Sequence, residues 1–345
     1  SFGANIISNT YENGKGVIKF DGTVTSIGNQ AFFAESSLIE ITIPNSVTSF
    51  GHSAFSGCSS LIEFTIPDSV TSMGLSVFSE CINLQKFYGK FASEDGRCLI
   101  VDGILKAFAP AELTEYTIPN SVKRIDDSVF KGCSSLTEIT IPNSVTLIGL
   151  SAFYGCSSLT EITIPNSVTG IEYHAFNSCS SLTKVTISNS ITGIGSNVFY
   201  GCSSLTEVII PNSVKVIENM AFGSCRSLTE ITIPSSVTRI EGYAFLGCSN
   251  LQNIICNPTT PPTGGSNMFA SIGTSPKIYV PAGSGEAYKA AQYWSDYADI
   301  IEEMGQPNDE IWYTSSNGEI VTPNNTNSFG ANIISNTYEN GKGVI

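Results

Sequence analysis

Apolar and polar positions along this chain recur in a unit of 23 residues, shown by residues 130–152, FKGCSSLTEITIPNSVTLIGLSA. Leu136, Ile139 and Ile141 are apolar, while Thr137, Glu138 and Thr140 between them are polar. The alternation over 138–141 predicts a half-buried strand. Pro142 ends it, because proline has no N–H to give to a ladder. Asn143 and Ser144 then make a turn. Val145 and Ile148 return inward around Thr146, which predicts a second short extended segment. Gly149 permits a sharp corner. Residues 150–155, too few for a full helix, predict one or two helical turns, with Phe153 filling the wide end of the coil.

The corner phenylalanine carries the period. Phe32, Phe55 and Phe78 open a series that Phe130, Phe153, Phe176, Phe199, Phe222 and Phe245 continue, and Phe269 follows at 24 residues. A fixed period of this length marks a solenoid, whose units bury their apolar faces only against one another. Strand positions centre on residues 18, 41, 64, 87, 116, 139, 162, 185, 208, 231, 254 and 278, which predicts twelve coils with one parallel sheet along one face. The expected fold class is therefore a β-rich α/β solenoid with short helical turns at one corner.

Leu-x-x-Ile-x-Ile-Pro-x-x-Val-x-x-Ile-Gly-x-x-Ala-Phe-x-x-Cys is complete over 136–156, and over 159–179 with Glu172 in place of glycine. The run resembles the BspA-like leucine-rich repeats, and the resemblance covers residues 15 to about 281. It implies a right-handed superhelix. It also implies a secreted or surface-displayed bacterial protein used in adhesion or in binding host proteins.

Three stretches depart from the pattern. The coil at 88–116 has 29 residues, and Asp102-Gly103 lies between the apolar runs 98–101 and 104–108. That arrangement predicts a β-hairpin replacing the corner and projecting from it. Residues 257–304 predict a C-terminal cap. It comprises a Pro/Gly-rich loop, a last strand at 277–280, a helix capped by Ser284 running to about Trp294, and a closing strand at 297–301. Residues 328–345 repeat residues 1–18 letter for letter, an offset of 327. The duplication predicts a tandem parent, with 1–14 a truncated N-terminal cap segment, 15–256 the solenoid, and 305–345 a linker and the start of the next unit. A second hairpin is expected from 311–314 and 319–321; the first coil lacks it, which predicts an open sheet edge and end-to-end association.

Composition narrows the function. The formal net charge is -14 with 13% charged residues, so a phosphate backbone is repelled and nucleic acid is an unfavourable partner. No apolar run reaches the roughly 18 residues that cross a bilayer, so no membrane insertion is expected in this segment. Eight of the ten cysteines lie three residues after a repeat phenylalanine. Such a column of parallel Cβ vectors about 4.8 Å apart suits neither disulfides nor tetrahedral metal ligation, and reads as buried free thiols. Cys98 and Cys256 stand outside it. His52 and His174 fall at a variable, solvated corner. No phosphate loop, metal motif or nucleophile elbow occurs, so neither catalysis nor a cofactor is expected.

One surface pattern remains. Eight residues after each phenylalanine come Glu40, Glu63, Lys86, Glu138, Glu161, Lys184, Glu207 and Glu230, with Glu115 in the long coil. Two residues on come Thr42, Thr65, Thr140, Thr163, Thr186 and Thr232, with Thr117 beside Glu115. Parallel strands turn these into two outward stripes, which neutral copying of repeats explains as a solvated face. The sharper expectation is a binding stripe whose repulsion a basic partner relieves. Three readings stay open: a protein-binding adhesion module, a structural spacer, and a glycan-binding array for which Tyr154 and Tyr200 are the aromatic candidates.

Overall fold

The structure is a computed structural model that describes residues 2–12, 15–304, 312–313, 337–339 and 342–344. The 23-residue unit winds into stacked coils, and two parallel ladders run along the stack instead of one. The first holds the expected strands, from Glu63–Ile66 through Glu138–Thr140, Glu161–Thr163 and Lys184–Thr186 to Lys277–Val280, closed by Ile301–Glu303. Neighbours pair in register, Glu161 opposite Lys184 and Lys184 opposite Glu207. The second is made of two-residue strands such as Leu147–Ile148 and Gly170–Ile171. An exact repeat puts every backbone position level with its copy, so a second extended segment becomes a second ladder. The single extra residue between Phe245 and Phe269 is absorbed in the Pro-rich loop: Ile233 pairs Cys256, 23 residues on, whereas Arg239 pairs Thr263, 24 on.

The phenylalanine corner is not helical. Residues two before and two after each ring are left-handed, as at Ser151 (φ 52°) and Gly155 (φ 71°) around Phe153, or Asn197 (φ 57°) and Gly201 (φ 73°) around Phe199. Left-handed residues stop a helix from propagating. Alternate amides close local turns, Ala152 to Gly149, Tyr154 to Ser151 and Cys156 to Phe153. The amides between them, on Ser151, Phe153 and Gly155, donate to the carbonyls of Tyr173, Ala175 and Asn177 in the next coil. Gly149 serves close approach instead of a special dihedral, since a Cβ there would sit 2.7 Å from Asp127 Oδ1 and 2.8 Å from the Asp126 carbonyl carbon. The rings from Phe130 to Phe245 are buried, 4.8–5.6 Å apart and within 15° of parallel.

Both ends differ from the sequence expectation. Residues 17–20 belong to an antiparallel hairpin, Ile6–Glu12 with Lys15–Phe20, and not to the first solenoid coil. Phe2 leads into that hairpin and packs 5.0 Å from Phe20 and 6.1 Å from Phe32, so the first coil is partly covered. No strand forms around Ile41. At the other end a short helix, Gly285–Ala290, follows Ser284, whose hydroxyl bonds Pro281 and does not cap. Glu303 instead accepts the Gly283 and Gly285 N–H groups, which hold its carboxyl below the usual carboxylate range. Trp294 is buried 5.9 Å from Phe269 and closes the ring stack, its Nε1 donating to Pro262 O at 2.7 Å. The hairpin expected at 311–321 lies outside the described residues apart from Trp312–Tyr313.

The central hairpin forms as expected, Cys98–Val101 with Ile104–Phe108, turning on Asp102 (φ 51°) and Gly103 (φ 78°). Positive φ at both central residues is the turn that Asp-Gly favours. It does not project, however. Leu99 and Ala107 join the core of the first coils, while Cys98, Leu105 and Phe108 join the core of the later ones. Phe108 lies 4.7 Å from Phe130 and replaces the missing corner ring. Leu99 pairs with Ala107 and Ile100 with Leu105, so Lys106 is a bulge that interrupts the alternation and lets Leu105 and Phe108 face one core while Ala107 faces the other.

Lys106 Nζ lies 2.7 Å from Asp126 Oδ2, with the Asp126 side chain 4% exposed. Asp126→Ala is expected to destabilise the chain by about 3 kcal/mol because it strands a largely buried ammonium, whereas Lys106→Met with Asp126→Leu costs less than about 1 kcal/mol. Urea unfolding followed by circular dichroism measures both; equal losses for the single and double variants would contradict the pairing argument.

Candidate protein-binding face

The face of the first ladder carries the candidate site. Ile139, Ile162, Val185 and Val208 point into the core, so strand alternation turns the residues on either side outward. Every residue of the two expected stripes is exposed: Glu40, Glu63, Glu115, Glu138, Glu161, Glu207 and Glu230, with Thr42, Thr65, Thr117, Thr140, Thr163, Thr186 and Thr232. The fold does not gather them equally. A groove of about 810 Å³ is lined by Glu138, Thr140, Glu161, Thr163, Thr186 and Glu207. The remaining stripe residues lie outside it.

Charge along the glutamate column is uneven. Glu63 accepts a hydrogen bond from Tyr88 at 3.0 Å, which raises the Tyr88 pKa. Lys184 pairs with Glu207 at 3.7 Å, and Asn253 donates to Glu230 at 3.4 Å. Among the described residues, Glu115, Glu138 and Glu161 make no ion pair or side-chain hydrogen bond, and they stand on three successive coils. Like charges at this spacing repel.

The threonines divide in two. Thr137, Thr160, Thr183 and Thr206 donate to the carbonyl of the preceding coil at 3.0–3.2 Å and are committed to the stack. Thr140, Thr163 and Thr186, three residues further along, make no such bond among the described residues and leave their hydroxyls free. The stripe pattern passed over two further features of the groove. Asn143, Asn166 and Asn189 line its edge from the Pro-Asn and Ser-Asn turns. Ile209 occupies the threonine column opposite Thr186 and is 69% exposed. Its signal in the sequence is an isoleucine between Thr186 and Thr232 in that column, which Ile255 repeats beyond Thr232.

The thiol column offers no chemistry. All ten cysteines are free and buried. In seven coils the Sγ donates to a phenylalanine carbonyl 26 residues earlier, as Cys179 does to Phe153 at 3.2 Å and Cys202 to Phe176 at 3.3 Å. Burial pushes the Cys58 thiol up to about 11 and Cys179 up to about 12. His52 Nδ1 accepts the Leu75 N–H, and His174 sits at one of the left-handed corner positions. Among the described residues no cluster of three His, Cys, Asp or Glu could hold a metal, and no helix is long and apolar enough to cross a membrane.

The sequence profile of the BspA-type leucine-rich repeat region matches in six copies, over residues 5–92, 105–228, 171–293 and 216–340. The chain belongs to this leucine-rich repeat family. Residues 93–104, which separate the first two matches of the repeat profile, fall on the segment that leads into the central hairpin and turns it. Among solved structures, this leucine-rich repeat chain is similar to a leucine-rich repeat protein from Bacteroides ovatus at 28% identity and TM-score 0.53, covering 82% of this chain and 76% of that one. It also shares its fold with a leucine-rich repeat protein from Eubacterium ventriosum at 24% identity and TM-score 0.56, covering 72% and 80%. No curated protein sequence gave a significant match.

The thiols are buried and reachable only on unfolding, and for Cys58 and Cys179 the raised pKa also keeps the thiolate scarce. A disulfide-exchange reagent at pH 8 should leave the native protein unlabelled and react with all ten thiols in denaturant. Rapid native labelling of the column would contradict its place in the core.

Proposed function

We propose that this chain is a non-catalytic, surface-displayed or secreted bacterial module that binds another protein through the groove on its first ladder. The observation that carries this reading is a conjunction in one groove: the unpaired carboxylates of Glu138 and Glu161, the free hydroxyls of Thr140, Thr163 and Thr186, and the exposed Ile209. An exposed apolar side chain ringed by polar groups has the anatomy of an interface centre and rim. A basic segment laid across the coils would relieve the repulsion of the glutamates and cover the isoleucine. The bacterial surface setting rests on the resemblance to BspA-like repeats, whose members it implies are displayed or secreted.

The 18-residue duplication supports a second reading, a structural spacer in a tandem stalk. The glycan reading draws little from the groove. No aromatic side chain lines it, and Tyr154 sits at the phenylalanine corner under a Lys131 cation 5.6 Å away.

Binding to a panel of purified extracellular-matrix and cell-surface proteins, measured by surface plasmon resonance, separates the first two readings. On the binding reading, Glu138→Lys with Glu161→Lys, and separately Ile209→Asp, each weaken capture by about tenfold or more, the cost of roughly 1.4 kcal/mol. Glu40→Lys with Glu230→Lys, outside the groove, leaves it unchanged. Affinity unaltered by the groove substitutions sinks the reading and leaves the spacer.

A further inference from the structure

The two-stranded hairpin at the start of the solenoid is unusually bare. Ile6, Ile7, Tyr11 and Val17 are 50%, 66%, 77% and 45% exposed, and among the described residues the outer edge of Lys15–Phe20 pairs with nothing. A two-stranded ribbon is marginal in water, and a third strand stabilises it. An open apolar edge is also a template for another strand.

The same segment occurs a second time in a different state. Residues 328–345 repeat 1–18, and Thr337–Glu339 pairs with Lys342–Val344 in the register of the first copy: Thr337 opposite Val344 matches Thr10 opposite Val17, and Glu339 opposite Lys342 matches Glu12 opposite Lys15. In this second copy the outer edge is filled. Trp312–Tyr313 runs antiparallel along it, Trp312 opposite Val344 and Tyr313 opposite Gly343, making a three-stranded sheet with Lys342–Val344 in the middle. Identical sequence in identical register shows what the open edge of the first copy accepts.

We propose that the outer edge of Lys15–Phe20 is a docking site for the Trp312–Tyr313 strand of a second copy of this unit. The joint places Trp312 opposite Val17 and Tyr313 opposite Gly16. It is strand addition, in which main-chain hydrogen bonds supply affinity and side chains at alternate positions supply choice. Successive units are thereby clamped end to end by an antiparallel sheet with strands from both, in which the tail of one solenoid closes the cap of the next. The clamp is independent of the groove: loss of partner binding at Glu138, Glu161 and Ile209 would leave it intact, and its loss would leave the groove reading intact.

A synthetic peptide spanning residues 308–317 is the probe, added to the full chain and followed by hydrogen–deuterium exchange. The readout uses fragments that extend past residue 18, which distinguish the first copy from its repeat. Saturating peptide should slow amide exchange across residues 15–20 by about tenfold, and a peptide carrying Trp312→Pro and Tyr313→Pro should not, because proline cannot join the ladder. Unchanged exchange at millimolar peptide overturns the proposal. So does equal protection by the proline peptide, or protection confined to the groove at 138–209.

Discussion

Every regular coil of this protein depends on one contact, the meeting of its phenylalanine corner with the corner of the next coil. There a buried ring stacks on its copy about 5 Å away, worth about 0.5–1.5 kcal/mol beyond the area it buries. Alternate amides cross to the next coil while the others close local turns. The phenylalanine carbonyl is used twice, by the Cys156 amide in its own coil and by the Cys179 thiol in the next, in the case of Phe153. This double use pairs both the amide and the thiol donor that meet at that carbonyl. The contact also fixes where a coil can change length: the one extra residue before Phe269 is absorbed in a loop, and the corner stays level, with the Phe245 N–H still donating to Met268 O at 2.8 Å.

The two irregularities show what happens when that contact fails. Between Phe78 and Phe130 no repeat phenylalanine is available, and the core divides into two clusters. The central hairpin bridges them by turning one face to each, with Phe108 standing in for the absent ring and the Lys106–Asp126 pair sealing its edge. At the C-terminal end Trp294 covers the last ring. Stability carried at the corner leaves the first-ladder face under little packing constraint. Glutamate, threonine and the exposed Ile209 can be placed there without disturbing the stack, and the proposed binding draws on that freedom.

Much of this was legible beforehand. The period, the inward Ile139 and Ile162, the outward Glu138 and Thr140, and the free thiols all follow from alternation and spacing, which short-range rules read well. The left-handed corner is not legible in the sequence, because Ser151 and His174 are not residues that announce such a backbone; the stack imposes it. The direction of the central hairpin is likewise hidden, because Asp102-Gly103 specifies a turn and says nothing of where its strands pack. In the groove, the difference between the committed hydroxyl of Thr160 and the free one of Thr163 depends on the height of the neighbouring coil's carbonyl, which no single-coil pattern contains. Ile209 was visible only as a lapse in the threonine column.

The corner contact is tested most directly by native-state hydrogen exchange along the stack. The amides of Phe153, Phe176 and Phe199, which donate to the next coil, should be among the slowest and open only with the coils on both sides. Phe199→Ala, expected to cost about 3–5 kcal/mol, should speed exchange in the coils of Phe176 and Phe222 as well as its own. Corner amides that exchange as fast as those of the exposed Glu161–Thr163 strand, or a Phe199→Ala effect confined to one coil, would contradict the account.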